Sequence, residues 1–403
     1  MPLFSVLVPT RNRAHLLSYT LQSILAQDFD DYEIIVSDNE SVDNTKQIIE
    51  SFAEPRVFYI HPAQYLRMHD HWEFARKHAR GDYLLFMGDD DCLAGNALSA
   101  LARVIRERDP AMVGCRSIDY FSNDFWVVAK RNQVRIEKFS GELITVDTHE
   151  ALVECFRFNP HPYYYPRVTM PVARQLVESI ASQVGRFFDY PNPEYVGFSM
   201  VYSMIDQFPF LDKPLVVLGR TPDSLGPRYF WTNQDPSWRE TTGQPFAFVP
   251  LKGTFMTNGA AESFLRAKNN LPNRFEGIEI SLVDYYKNYY TDMLTQRWLG
   301  RDIRGDLDEF YRVVDSLNRD LRAQVIHSIK DLDLRQPVWH RFMRRSSALL
   351  SNAKNLAFHG NHSKVKGKLG DRWFDGNTIG VSDILSCVRW LDNQNNQNLR
   401  EKV

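Results

Sequence analysis

Three consecutive aspartates, Asp89, Asp90 and Asp91, follow a short apolar run that ends in Gly88. The run, residues 83–87 (YLLFM), has the pattern of a strand buried on both faces of a sheet. Three adjacent carboxylates repel one another unless a cation lies between them, and Mg²⁺ is usually held by one or two carboxylates together with substrate phosphates. Because ligands of open α/β sheets bind beyond the carboxyl ends of the strands, the sequence predicts a metal–phosphate site here. The alternative is a solvated acidic turn.

Strand and helix patterns alternate through the first hundred residues, and such βα units predict a mostly parallel, doubly wound sheet. Strands are predicted at 4–8, 33–36, 56–60 and 83–87, and helices at 13–26, 44–52, 69–79 and 93–106. The alternation breaks near Asp109, and strands such as Leu215 to Leu218 are then separated by helices and loops. Residues 221–250 are rich in Pro, Gly and Asn, which is typical of loops. Beyond Ala260 the pattern is helical, so we expect an α/β fold with an α-helical C-terminal extension.

The bulk composition is that of an ordinary globular protein of two domains, or of one domain with a large extension. The chain has 403 residues, 43% apolar and 24% charged, and a net charge of −2, which does not favour a nucleic-acid partner. Its cysteines, Cys92, Cys115, Cys155 and Cys387, have no paired spacing and suit a reducing compartment. No signal-peptide layout and no apolar run of about 20 residues are seen, so a cytoplasmic location is expected.

Four ordered motifs resemble those of the inverting family-2 glycosyltransferases of GT-A fold. They are SVLVPTRNR (5–13), EIIVSDNESVDNT (33–45), HWEFARKHARGDYLLFMGDDD (71–91) and PNPEYVGFSM (191–200). The resemblance covers roughly residues 3–220. It implies a Rossmann-like GT-A domain with a nucleotide-sugar-binding half at 1–108 and an acceptor-binding half at 109–235. Residues 236–403 would then be a loop region and the helical C-terminal extension.

The resemblance also implies the residues of a donor site. Those expected to contact the nucleotide sugar are Pro9, Thr10, Arg11, Asp38, Arg67, Asp70, Asp89 and Asp90. Asp91, with Asp89, is expected to bind Mn²⁺ or Mg²⁺, whose charge stabilises the leaving diphosphate. Two alternatives stay open, because Asp38 could form an Asx turn and Asp70 could cap a helix. Arg220, Thr221 and Ser224 fall where relatives have a loop that closes on the diphosphate.

An inverting transfer needs one general base on the acceptor side of the sugar. Glu194 matches the position of the family's base, which is more often Asp, and Asp189 is the second candidate. A plain first-turn helix acid is the alternative for Glu194. The aromatic segment 161–166 (HPYYYP) offers ring faces to a sugar acceptor, or packs as an ordinary loop.

The function implied is a metal-dependent inverting glycosyltransferase of surface polysaccharide synthesis. It would move a sugar from a nucleoside diphosphate sugar, with UDP favoured, to a hydroxyl of a glycan or lipid-linked acceptor. Two alternatives are a sugar nucleotidyltransferase, which residues 9–13 disfavour because they lack glycine, and a non-catalytic glycan-binding protein. Processive synthases of the family carry a Gln-x-x-Arg-Trp motif and membrane-spanning helices. Neither is expected here, since Gln296 lies directly beside Arg297 and Trp298 and no apolar run is long enough to span a membrane.

A basic segment lies near the C-terminus. Residues 335–370 are rich in Lys and Arg and contain no Asp or Glu. Basic and apolar residues at helical spacing are typical of a helix lying on an anionic membrane surface. A helix packed on the domain or in a homo-oligomer interface is the favoured alternative, because apolar helical stripes usually face a core. Peripheral membrane contact and self-association therefore both stay open.

Overall fold

The computed structural model describes residues 1–159, 167, 169–224, 246–298, 300–332 and 372–401. The strands are β1 (Phe4–Thr10), β2 (Tyr32–Asp38), β3 (Val57–Ile60), β4 (Tyr83–Phe86), β5 (Cys92–Leu93), β6 (Gly114–Phe121), β7 (Gln133–Ile136), β8 (Leu143–Asp147), β9 (Val172–Ala173), β10 (Gln207–Arg220) and β11 (Arg372–Asp375). The helices of the first 205 residues are α1 (Ala14–Leu25), α2 (Thr45–Ser51), α3 (Met68–Arg76), α4 (Ala97–Arg108), α5 (Thr148–Phe156), α6 (Arg174–Val184) and α7 (Pro193–Met204). Those that follow are α8 (Met256–Asn270), α9 (Leu282–Trp298), α10 (Arg304–Asp315), α11 (Arg319–Ile329), α12 (Gly376–Ile379) and α13 (Ile384–Glu401).

The first sheet has the strand order β3-β2-β1-β4-β9. Its first four strands run parallel, and the short β9 closes one edge in the antiparallel sense. Every residue of β1 is buried, and its side chains alternate between two hydrophobic cores: Val6 faces α1 and α4, whereas Leu7 faces the core that contains α5 to α8. Burial on both faces explains the continuous apolar runs, and it confirms the doubly wound α/β fold.

A second sheet holds β5 and most of the strands after α4, in the order β11-β7-β6-β10-β5, with β8 also paired to β10. Only the β6–β10 pair is parallel; the other pairs are antiparallel. The mostly parallel description therefore applies to the first sheet alone. The strand predicted at Leu215 to Leu218 is the end of the 14-residue β10, whose apolar run is interrupted by Pro209 and Pro214.

The predicted helical extension is confirmed for α8 to α11. These helices share an aromatic core that includes Tyr285, Tyr289 and Phe310. The chain then returns to the second sheet, where β11 pairs with β7 and Cys387 of α13 packs in one cluster with Cys92 of β5. The C-terminal part is thus not wholly helical, and it supports the strands that carry the aspartates.

Several expectations fall outside the described residues. They concern the aromatic segment 161–166, the basic segment 335–370 and the loop 225–245. Among the helices that the structure describes, none is both long enough and apolar enough to cross a bilayer.

Candidate active site

The three aspartates lie in the turn between β4 and β5, at the carboxyl edge of the first sheet. The end of β1 lies beside them, because β1 and β4 are paired and Met87 donates a backbone hydrogen bond to Leu7. The end of β10 reaches the same place from the second sheet, since β5 pairs with β10. The predicted position beyond the strand end is confirmed, and each carboxylate there has different partners.

Asp89 is buried and fully engaged with the end of β1. It accepts hydrogen bonds from Thr10 Oγ1 at 2.7 Å and from Arg13 Nη1 at 2.8 Å. Arg13 also donates to the backbone oxygen of Asp223, so it links three segments. Burial alone would lower the pKa of Arg13, but Asp89 and Asp90 raise it above its usual value. The sequence analysis missed Arg13, although it is the second basic residue of the RNR segment.

Asp91 ties the turn to β10. Its carboxylate accepts the backbone N–H of Gly219 at 3.0 Å and that of Gly88 at 3.3 Å. Burial and the nearby charge of Asp90 raise the pKa of Asp91 to about 8. A Cβ atom on Gly219 would lie 1.9 Å from the backbone oxygen of Asp90, so only glycine allows this approach.

Asp90 is the most accessible carboxylate of the turn, and it is half-buried. Its Oδ2 accepts a hydrogen bond from Ser224 Oγ, which in turn is held by the backbone N–H of Thr221 at 2.9 Å. No residue in the described part of the chain donates a hydrogen bond to its Oδ1. Burial raises the pKa of Asp90. The charge of Arg13 opposes this shift, and the charge of Asp89 adds to it. Ser224 and Thr221 thus approach the aspartates, as expected for a loop that borders the diphosphate.

The described residues contain no group of three His, Cys, Asp or Glu side chains arranged as a complete metal site. A divalent cation at this turn would therefore need ligands from a substrate. That requirement matches Mg²⁺, which keeps few protein ligands and is commonly completed by phosphate oxygens and water.

The expected nucleoside contacts lie at the ends of β1 and β2. Asp38 is buried and accepts hydrogen bonds from Ser41 N, three residues further on, at 2.9 Å and from Tyr59 Oη of β3 at 3.0 Å. An Asx turn would instead use the N–H two residues on. Arg11 is exposed, and its guanidinium lies 4.3 Å from the centroid of the Tyr65 ring. Such a stacked pair presents flat surface and positive charge at the rim of the site.

Asp70 does not cap α3. The helix begins after Arg67, whose side chain makes no capping hydrogen bond, and Asp70 instead accepts a hydrogen bond from Arg186 at 2.7 Å. Arg186 also lies 3.7 Å from Asp189, whose other oxygen lies 3.7 Å from Arg266 of α8. The capping alternative for Asp70 is therefore wrong, because its carboxylate forms an ion pair with Arg186, which is distant in the sequence.

Glu194 is half-buried in the first turn of α7, directly after Pro193. Proline suits this position because its missing N–H needs no partner there. The turn is fixed from the helical extension: Asn192 donates its backbone N–H to Ser263 Oγ at 3.2 Å, and the Tyr195 ring stacks on Phe264 at 5.6 Å. The partial positive charge of the helix N-terminus stabilises an ionised Glu194.

Residues 5–159 match the family model described as glycosyl transferase family 2. The match covers less than half of the chain, so it shows a similarity of this part to the family. It includes the four parallel strands of the first sheet, the three aspartates and the start of the second sheet, which is the part of the molecule where β1, β2 and β4 bring their ends together.

Two curated relatives extend the comparison. The chain is 34% identical over 176 residues to a GalNAc(5)-diNAcBac-PP-undecaprenol beta-1,3-glucosyltransferase of Campylobacter jejuni, covering 40% of this chain and 57% of the relative. It is 28% identical over 96 residues to the UDP-Glc:alpha-D-GlcNAc-diphosphoundecaprenol beta-1,3-glucosyltransferase WfgD of Escherichia coli, covering 24% and 38%. The matched part thus spans roughly a third to somewhat over half of these relatives.

Among solved structures, the chain is similar to Staphylococcus aureus TarS 1–349 in complex with UDP-GlcNAc. The identity is 16%, the TM-score is 0.45, and the similarity covers 81% of this chain and 80% of that one.

The first sheet brings Thr10, Asp89, Asp90 and Asp91 into direct or near contact, as the motifs predicted. Arg67 and Asp70 stand apart at the start of α3, where they belong to the network that contains Asp189. The assignments of donor contacts, metal ligands and general base remain predictions for this chain.

Proposed function

We propose that the chain is a glycosyltransferase that moves a sugar from a UDP-sugar to a hydroxyl group of a lipid-linked glycan, with inversion at the anomeric carbon. The observation that carries the proposal is the half-buried carboxylate of Asp90 at the carboxyl edge of the first sheet, beside Asp89 and Asp91, whose Oδ1 accepts no hydrogen bond from the described residues. The similarity of residues 5–159 to the family-2 model supports transfer of a sugar. The names of the two relatives, which act on diphosphate-undecaprenol glycans, support the acceptor, and one of them names UDP-Glc as donor.

Asp90 is the carboxylate best placed to hold Mg²⁺ or Mn²⁺. The sequence assigned the metal to Asp91 and Asp89, but Asp89 is occupied by Arg13 and Asp91 is held by two backbone N–H groups. Asp90 Oδ1 accepts no hydrogen bond from the described residues, so this oxygen is the one left for a cation. When bound, the cation would supply positive charge to the leaving diphosphate, a Lewis-acid role.

Glu194 is the proposed general base. It would take the proton from the acceptor hydroxyl as that oxygen forms its bond to the anomeric carbon. The bond between the anomeric carbon and the diphosphate oxygen breaks in the same step, and the electron pair leaves with the diphosphate. A single displacement from the opposite face inverts the anomeric centre. Asp189 is the weaker candidate, because two guanidinium groups, of Arg186 and Arg266, already lie 3.7 Å from its oxygens.

Two measurements test the proposal. The first is the thermal midpoint of the protein with UDP, GDP, CDP or ADP, each with and without Mn²⁺, since a ligand that binds only the native state raises the midpoint. We expect a metal-dependent rise with UDP. The second is mass-spectrometric detection of sugar transfer from UDP-sugars to a synthetic lipid-diphosphate glycan. Absence of both the rise and the product, with every nucleotide, would favour the non-catalytic alternative.

A further inference from the structure

A small polar cavity opens in the second sheet, beyond the aspartates. It is lined by β6, β7, the end of β10 and residue 167, and its charged lining residues are Arg116, Arg135, Arg167, Arg220, Asp119 and Glu137. Four guanidinium groups around one cavity are unusual, because charged groups are buried only when paired.

The carboxylates do not balance these arginines. Asp119 is shared, with Arg220 at 2.6 Å from one oxygen and Arg135 at 2.8 Å from the other. Arg116 lies between Glu137, at 3.1 Å, and Asp212, to which its Nε donates. The three carboxylates of Asp119, Glu137 and Asp212 are therefore paired with three arginines.

Arg167 is the fourth. Its Nη1 donates to Ser117 Oγ at 2.5 Å, and no carboxylate in the described part of the chain lies within ion-pair distance of it. The excess positive charge also affects Lys130 nearby. Burial lowers the pKa of this lysine to about 8; Asp119 opposes the shift, and the charges of Arg135 and Arg220 add to it.

The cavity lies between the donor aspartates and the proposed base. Arg220 directly follows Gly219, whose N–H holds Asp91, and the charges of Asp91 and Asp90 help to raise the pKa of Arg220 against its burial. On the other side, the charges of Arg167 and Arg220 both influence the pKa of Tyr195, the residue that follows Glu194. Burial raises the pKa of Tyr195, and both arginines oppose that shift.

We propose that this cavity binds a phosphate group of the acceptor, so that the sugar carrying the attacked hydroxyl is itself linked to a diphosphate. The proposal rests on the proposed transferase function and deepens it. Guanidinium groups are well suited to phosphate, since their planar N–H groups form paired charge-assisted hydrogen bonds. Ion pairs hold Arg116, Arg135 and Arg220 in fixed positions, and Arg167 contributes the charge that no carboxylate neutralises. The enzyme that supplies this acceptor must therefore join a sugar phosphate to a phosphate carrier.

The first test measures binding of inorganic pyrophosphate by calorimetry, with EDTA present to exclude binding through a metal. The variant is Arg167→Gln. Its matched control is Arg157→Gln, which removes the same charge from a side chain that is 60% exposed and paired with Glu154. We expect the Arg167 variant to bind pyrophosphate roughly 10- to 100-fold more weakly, the range for loss of charge-assisted hydrogen bonds, and the control to bind like the wild type. Equal binding by all three proteins, or none by the wild type, would overturn the proposal.

The second test separates acceptor phosphate from donor phosphate. It compares transfer to a short-chain alkyl diphosphate glycoside with transfer to the alkyl glycoside of the same sugar. Arg167→Gln should reduce the preference for the diphosphate acceptor, mainly through a higher acceptor KM, while UDP affinity with Mn²⁺ stays as in the wild type. Weaker UDP binding would instead assign the cavity to the donor and overturn the proposal. Should the wild type transfer to neither acceptor while the pyrophosphate result holds, the transferase function fails and the phosphate site stands.

Discussion

The acidic turn and the arginine cavity face each other across the end of β10, and they carry excess charge of opposite sign. In the turn, burial and Asp90 raise the pKa of Asp91 to about 8. Beside the cavity, burial lowers the pKa of Lys130 to about 8; Asp119 opposes the shift, and Arg135 and Arg220 contribute to it. The acidic turn disfavours a further negative charge, and the arginine cavity disfavours a further positive charge.

This contrast indicates what each site is built to receive. A buried charge without a partner has a high free energy. A ligand of opposite charge therefore binds more favourably there than it would at an exposed site. The turn is suited to a cation and the cavity to an anion. Arg220 connects them, since it is paired with Asp119 of the cavity and lies beside the backbone group that holds Asp91. A transfer between two phosphorylated substrates needs both kinds of site close together.

The largest effect is expected at the proposed base, on the side of the arginine cavity away from the acidic turn. Glu194→Gln keeps the shape of the side chain but cannot take a proton, so kcat should fall by about 100- to 10,000-fold, the usual contribution of general base catalysis. UDP binding with Mn²⁺ should be unchanged, because Glu194 lies on the acceptor side. Steady-state kinetics and calorimetry on the same preparations measure both quantities.

Asp189→Asn is the comparison variant. It removes the negative charge between Arg186 and Arg266 and should therefore lower the thermal midpoint more than kcat. A stable Asp189 variant with a much lower kcat, together with an active Glu194 variant, would exchange the two roles.

The next effect shows which carboxylate of the turn binds the metal. Asp90→Asn should abolish the metal-dependent rise of the thermal midpoint with UDP and reduce kcat/KM by at least about 100-fold, as for loss of an electrostatic group at a reacting centre. Asp91→Asn should keep part of the metal-dependent rise, because its amide oxygen can still accept a backbone N–H. Metal dependence lost in the Asp91 variant and kept in the Asp90 variant would restore the assignment made from the sequence.

A smaller effect concerns the contact between the turn and β10. Gly219→Ala places a Cβ 1.9 Å from the backbone oxygen of Asp90, so the turn or the strand must move, and we expect a loss of about 1–3 kcal/mol in the free energy of unfolding. Gly305→Ala is the matched control: no atom lies within 4 Å of its new Cβ, and a gain of about 0.4–1 kcal/mol is expected. Urea unfolding measures both. A Gly219 variant as stable as the wild type would show that the turn is not fixed by β10.

The same contrast explains what could be predicted from the sequence. The acidic turn was predictable, because an apolar run and the carboxylates that follow it are neighbours in the chain, and strand burial makes the pattern clear. The pairing of Asp89 with Arg13 was not, since 76 residues separate them. Opposite charges far apart in a sequence carry no signal of contact.

The arginine cavity was beyond prediction for a further reason. Arg116, Arg135 and Arg220 lie on strands that pair in the second sheet, whose longest strand is broken up in sequence by Pro209 and Pro214. Without that strand the arginines cannot be placed together. The support of Glu194 by α8 was likewise invisible, because Ser263 and Phe264 look like ordinary residues of a distant helix.

The smallest effect concerns the cost of burying the charge of Lys130 beside the cavity. The folded pKa of Lys130 is about 8, against 10.5 for an ordinary lysine, so the folded state binds fewer protons than the unfolded state between these values. Stability should therefore rise with pH from about 8 to 10.5, and the full cost of the charge is present below pH 8. Lys130→Met should remove this rise and be more stable at pH 7 by about 1 kcal/mol, after loss of the cation–π contacts with Phe121 and Trp373.

The control for this last prediction is Lys46→Met, an exposed lysine 5.8 Å from the centroid of the Tyr59 ring. It loses a similar ring contact but has no arginine cavity beside it. Urea unfolding at pH 7, 8, 9 and 10 should show a flattened pH profile for the Lys130 variant and an unchanged one for the Lys46 variant. If both variants follow the wild-type profile, Lys130 is not the source of the pH-dependent rise, and its pKa in the folded state is close to that of an ordinary lysine.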